Sequence, residues 1–146
     1  MGLAGILTAC KTIASAVTGI KAAYDHTDMP EALDSAEVPA VLCLPNSGDM
    51  EASGAGAGAI IHTVRLILVG MAGGQGTVAQ RMSQLVPYVP ALQTAFAAHL
   101  ALSTSGVEWA TLERYAFITF AIGENNHAAV EFTLRVFERE LLTVGV

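Results

Sequence analysis

The strongest periodicity in the chain lies in its last third. Over residues 112–122, Tyr115, Phe117, Thr119 and Ala121 recur at every second position. Over residues 127–142, Val130, Phe132, Leu134 and Val136 do the same, with Glu131, Thr133, Arg135, Phe137 and Arg139 on the alternate positions. This alternation predicts two antiparallel strands with one face buried and one wet. Gly123-Glu124-Asn125-Asn126 supplies the turn between them. A turn centred on Glu124-Asn125 sets Phe117 opposite Phe132 and Tyr115 opposite Leu134, so that both arms offer apolar faces to one core. The arms exceed the usual strand of about five or six residues, and part of the hairpin is expected to reach past its own core toward another subunit.

The rest of the chain fits around that hairpin. Residues 2–17 have Leu3, Ile6, Leu7, Cys10, Ile13, Ala14 and Val17 at helical spacing, with Gly19 as a stop. Residues 20–24 suit a short edge strand. Residues 25–37 read as a solvated acidic connector. Residues 38–45 form an apolar strand with Pro39 and Pro45 marking where pairing starts and stops. Residues 46–58, rich in Gly, Ala and Ser, predict a flexible loop that orders against a neighbour. Residues 59–69 read as a central strand, apolar on both faces in its second half. Glycines between 70 and 76 turn the chain into a helix over 77–102, with Val78, Met82, Leu85, Val89, Leu92, Phe96 and Leu100 as its stripe. Pro87 and Pro90 should split that helix near residues 86–89. The expectation is a single α+β domain, 1–146. It has a mainly antiparallel or mixed sheet of four to five strands, two helices on one face and a long C-terminal hairpin.

Composition narrows what such a domain can do. Of the 146 residues 53% are apolar and only 14% charged, and the net charge is −6. Seven carboxylates and no Lys or Arg fall between Ala22 and Val64, which disfavours tight binding of nucleic acid. An apolar surplus with few charges suggests surface covered by other copies. Cys10 and Cys43 have no metal or redox spacing and read as buried thiols. No secretory signal is predicted. The most apolar stretch, 60–69, is broken by His62 and Arg65 and falls far short of the ~20 residues of a membrane span. A soluble protein made in a reducing compartment is expected.

Candidate chemistry is sparse. His26, His62, His99 and His127 are scattered, and none stands in a motif with Ser, Cys or Asp. His62 is expected to be a hydrogen-bonded core or interface group. Asp25-His26-Thr27-Asp28 offers too few ligands for a metal. Glu108 and Glu113 are expected to face solvent, and Ser53-Gly54 lacks the strand–Ser–helix setting of a nucleophile elbow. The turn at 70–76 could cradle phosphate on backbone amides, yet Thr77-Val78 stands where a nucleotide loop places Lys-Ser/Thr. No catalytic, cofactor or metal residues are assigned.

Several stretches resemble the small tail terminator (tail completion) proteins of long-tailed bacteriophages and phage-like particles. They are Leu3-Ala4-Gly5-Ile6-Leu7, Gly19-Ile20-Lys21-Ala22-Ala23-Tyr24-Asp25 and Val38-Pro39-Ala40-Val41-Leu42-Cys43-Leu44-Pro45-Asn46. Ser105-Gly106-Val107, Tyr115, His127-Ala128-Ala129-Val130-Glu131-Phe132-Thr133-Leu134-Arg135-Val136 and Glu138 complete the match. The resemblance implies a non-enzymatic virion protein, assembled in the host cytoplasm and forming a ring, usually a hexamer, at the head-proximal end of the tail tube. Its partners would be the tube protein and the head connector, with DNA sliding through unbound past an acidic lining. Three surfaces are expected to serve it. Glu131, Arg135, Phe137 and Arg139 would meet the neighbouring subunit by strand and charge pairing. Asp49, Met50 and Glu51 would reach the tube or lumen, and Glu124, Asn125 and Asn126 an axial partner. The alternatives are another neck, head–tail joining or tail tube protein, or a small cytosolic ligand-binding oligomer using the turn at 70–76.

Overall fold

A computed structural model describes residues 2–53, 57–102 and 106–141. Helix α1 (Leu3–Ser15) leads through β1 (Ala22–Tyr24) into β2 (Ala40–Ser53) and β3 (Ala57–Ala72). Helices α2 (Val78–Leu85) and α3 (Tyr88–Ala97) then precede β4 (Val107–Ile122) and β5 (Asn125–Leu141). The five strands form one sheet in the order β1-β2-β3-β5-β4; β1 runs parallel to β2 and every other pair is antiparallel. The α+β architecture expected from the sequence is the one observed, with β3 central and the second helix split at Pro87.

The helices cover one face of the sheet. Ile6, Leu7, Cys10, Ile13 and Ala14 of α1, Leu85 of α2, and Leu92 and Phe96 of α3 close over Val41, Cys43, Val64, Leu66, Leu68, Val130, Phe132, Leu134 and Val136. Burial of such side chains is the main stabilising term, roughly 1.5–3 kcal/mol each. Two glycines let the layers meet. Gly70 lies under α2, where a Cβ would come 2.8 Å from a Leu85 methyl. Gly19 takes φ +94° after α1, against the Tyr88 ring. Thr77 and Gln80 start α2 with a reciprocal capping box.

The second face differs from expectation. One end of it, from Ala40 of β2 across to the Ile122 end of β4, is covered by the connector of residues 25–39, where Leu33 and Val38 pack on Ala40, Leu42, Ile67, Val69, Ile122 and Ala129. That connector is not merely a solvated acidic loop. Asp25 is 2% exposed and accepts hydrogen bonds from Thr27 N (2.8 Å), Thr27 Oγ1 (2.6 Å) and Thr8 Oγ1 (3.1 Å). Asp28 pairs with Lys11. The acidic side chains thus tie the connector to α1, and charge composition alone conceals that.

Three further expectations are corrected. Residues 46–53 are not loop but the continuation of β2, and 57–58 belong to β3; residues 54–56 lie outside the described residues. Pairing does not stop at Pro45, because β1 has already ended and β2 is an edge there, where a missing N–H costs no ladder bond; the register shifts between Pro45 and Ser47. The C-terminal turn closes at Ile122↔Asn125, so Phe117 faces Val130 and Tyr115 faces Phe132. The shift is by two residues, and each side chain keeps its predicted face. Even so, Tyr115 and Phe117 are 54% and 42% exposed, because the helices stop short of the outer margin of β4. Val78, Met82 and Leu100 of the predicted stripe are exposed as well.

Candidate functional site

The outer edge of β4 is the most conspicuous unfilled feature. This 16-residue strand pairs with β5 on one side, and no described strand lies on the other. Natural sheets usually blunt such an edge with Lys, Pro, short length or bulges. β4 has no Lys or Pro, and its bulges lie before Arg114; from there to Ile122 the pairing is uninterrupted. Beside this stretch, on the helix side, Val78, Arg81, Met82 and Leu85 face Phe117 and Thr119 across a groove of about 450 Å³. A second groove runs between Val89 and Gln93 of α3 and Leu112 to Tyr115. The edge backbone and its flanking apolar surface form one continuous strip.

The predicted subunit-contact residues gather on the opposite face of β5. Arg65 Nε and Nη2 donate to the two Glu131 carboxylate oxygens at 2.9 and 3.1 Å, and this pairing holds the Glu131 carboxyl below its ordinary range. Arg135 pairs with Glu113 at 3.3 Å and Arg139 with Glu108 at 2.6 Å. Phe137 stacks on Trp109. Each of the four side chains is therefore engaged within its own chain. β5 is also interior, with β3 and β4 taking both its edges, so strand pairing to a neighbour through β5 is excluded. The sequence could not show which hairpin arm lies outside, since both alternate alike.

The other predicted surfaces are on the outside. Asp49 is exposed and Met50 is 83% exposed on β2; the Glu51 side chain lies outside the described residues. Here too β2 is an edge, because β1 covers it only at Ala40–Leu42. Glu124 caps the hairpin tip, and Asn125 and Asn126 open β5, with Gly73 N donating to Asn126 O.

Five amides of the glycine turn and the start of α2 are tied down within the chain. Met71 N and Thr77 N donate to the Gln84 and Gln80 side chains, Gly73 N to Asn126 O, Gln75 N to Ala72 O and Gln80 N to Thr77 Oγ1. Those amides are already satisfied. His62 is buried, its Nε2 3.0 Å from Glu138 Oε1, and His127 Nδ1 lies 2.9 Å from Gly70 O. His62 is the hydrogen-bonded core group expected of it. Glu108 and Glu113 are exposed, each with its arginine. Among the described residues no three His, Cys, Asp or Glu side chains converge on a metal position, and no helix is long and apolar enough to cross a membrane. What the arrangement offers is an open strand edge flanked by exposed apolar side chains.

No protein-family model matches the chain, and no curated protein matches it.

Proposed function

We propose that this chain is a structural protein of a long-tailed phage or phage-like particle. It forms a ring at the head-proximal end of the tail tube, stops tube growth there and presents a surface to the head connector. The observation that carries the reading is the open edge of β4 with its flank of exposed Tyr115, Phe117, Val78 and Met82. A long apolar-flanked edge is an aggregation site unless another chain covers it. A ring covers it in every copy. The resemblance of the sequence to tail terminator proteins supplies the setting. The excess of carboxylates suits a bore through which DNA slides without being held. The exposed hairpin tip at Glu124, Asn125 and Asn126 is the contact for an axial partner.

The test is the particle state of the purified protein and its place in the virion. Light scattering and negative-stain images should show single rings of fixed stoichiometry, and the chain should be present in purified tails at one ring per tail. Stacked tubes would move the assignment to a tube or neck protein. A monomer in dilute solution that is also absent from purified tails would overturn the reading.

A further inference from the structure

We infer that the ring closes by β-sheet addition: β4 of one copy pairs antiparallel with the open edge of β2, residues 43–53, of the next copy. This rests on the ring reading above and specifies its contact.

The sheet has two open edges, and they lie at opposite ends of the strand order. At one end β1 shields only Ala40–Leu42, leaving the rest of β2 without an outer partner among the described strands. At the other end lies β4. A contact between unlike edges is heterologous, and such contacts generate rings when the rotation closes. Direction follows from the pairing already present. β2, β3, β5 and β4 alternate, so β2 and β4 run oppositely within one sheet. A rotation about an axis roughly along the strands keeps each direction, and the new pair is antiparallel like its neighbours.

The side chains match face by face. Asp49 stands opposite Ile61 and Arg114 opposite Thr133, which places both on the sheet face away from the helices. Both are exposed, and neither makes a direct ion pair among the described residues, although Arg114 lies near enough to Glu131 to help hold its carboxyl down. Met50 stands opposite Ile60, on the helix side with His62 and Glu138. On β4 the helix side carries Tyr115 and Phe117, opposite Phe132 and Val130. Laying β2 of one copy antiparallel along β4 of the next, with Asp49 opposite Arg114, brings acid to base on one face and Met50 to the groove at Leu112 and Tyr115 on the other. Opposite charges and aromatic–apolar pairs across adjacent strands are the stabilising combinations.

Charge reversal with rescue tests the contact. Arg114→Glu and Asp49→Lys, each alone, should weaken ring formation by about tenfold or more, and the two together in one chain should restore it. Circular dichroism confirms that each exposed substitution leaves the fold intact. Independently, a chain carrying Asp49→Cys and Arg114→Cys should give on oxidation a ladder of covalent oligomers ending at the ring size. The two positions cannot join within one chain, because three strand spacings of about 4.8 Å separate them, beyond the roughly 7 Å limit of a disulfide. If both single reversals form normal rings and the cysteine pair gives no ladder, this pairing is wrong while the ring reading stands. If Arg114→Cys alone gives a covalent dimer, β4 pairs with its own copy and the proposal falls. If the unaltered chain is monomeric and also absent from purified tails, the ring reading falls with it.

Discussion

Trp109 and Phe137 face one another across β4 and β5, ring centroids 5.6 Å apart and planes 14° from parallel. With the Arg135–Glu113 and Arg139–Glu108 ion pairs beside it, this stack fastens the outermost strand to the body of the sheet on the side the helices do not cover. Replacing Arg135 and Phe137 together by Ala should cost only about 1–2 kcal/mol in a denaturant melt, since an exposed ion pair and one aromatic pair are removed. Ring assembly should suffer far more, because the strand that carries the contact is loosened. The double variant is expected to be a folded monomer by light scattering. Unimpaired rings would show that the stack does not support the interface.

Asp25 makes acid stability measurable. Its carboxylate is buried and accepts hydrogen bonds from the Thr27 hydroxyl, the Thr27 amide and Thr8, which pull its pKa down to about 2. Because the folded carboxyl titrates below its unfolded counterpart, its contribution is complete above pH about 4 and disappears as the pH falls through about 2. Asp25→Ala should lose roughly 2–3 kcal/mol near neutrality. The gap between variant and parent in urea melts should narrow between pH 4 and 2. A gap that stays constant with pH would mean that the carboxylate is not what holds the connector.

Both cysteines should be silent in the folded protein. Cys10 and Cys43 are buried in the helix-side core, and burial pushes the Cys10 thiol up to about 12 and the Cys43 thiol higher still. At pH 8 a thiol reagent should modify neither until denaturant is added, and then both. Fast labelling of the native chain would contradict the α1–β2 packing.

Gly19 carries two separate constraints. Its φ of +94° disfavours any side chain, and a Cβ there would collide with the Tyr88 hydroxyl. Gly19→Ala should destabilise by about 1 kcal/mol or more from the backbone alone. Adding Tyr88→Phe should recover only the part owed to the hydroxyl. Full recovery in the double variant would mean that the backbone conformation carries no cost.

Periodicity was enough for the elements on which the fold depends. The two-residue alternation around Val130, Phe132 and Leu134, the helical spacing of Ile6, Cys10 and Ile13, and Pro87 inside an apolar helix each specify a local geometry by sterics and burial. So does face: because strand side chains alternate, the hairpin turn moved by two residues without turning Tyr115 or Phe117 to the wrong side. Composition misled where small residues were paired by partners distant in sequence. Residues 46–53 look like a linker, yet β3 holds them as strand, and Asp25 looks solvated until Thr8 is brought beside it. Only the tertiary arrangement decided that β5 lies inside and β4 outside, and that β2 is bare beyond Leu42. Edge position depends on which strands find each other across the chain, and no local pattern encodes that pairing.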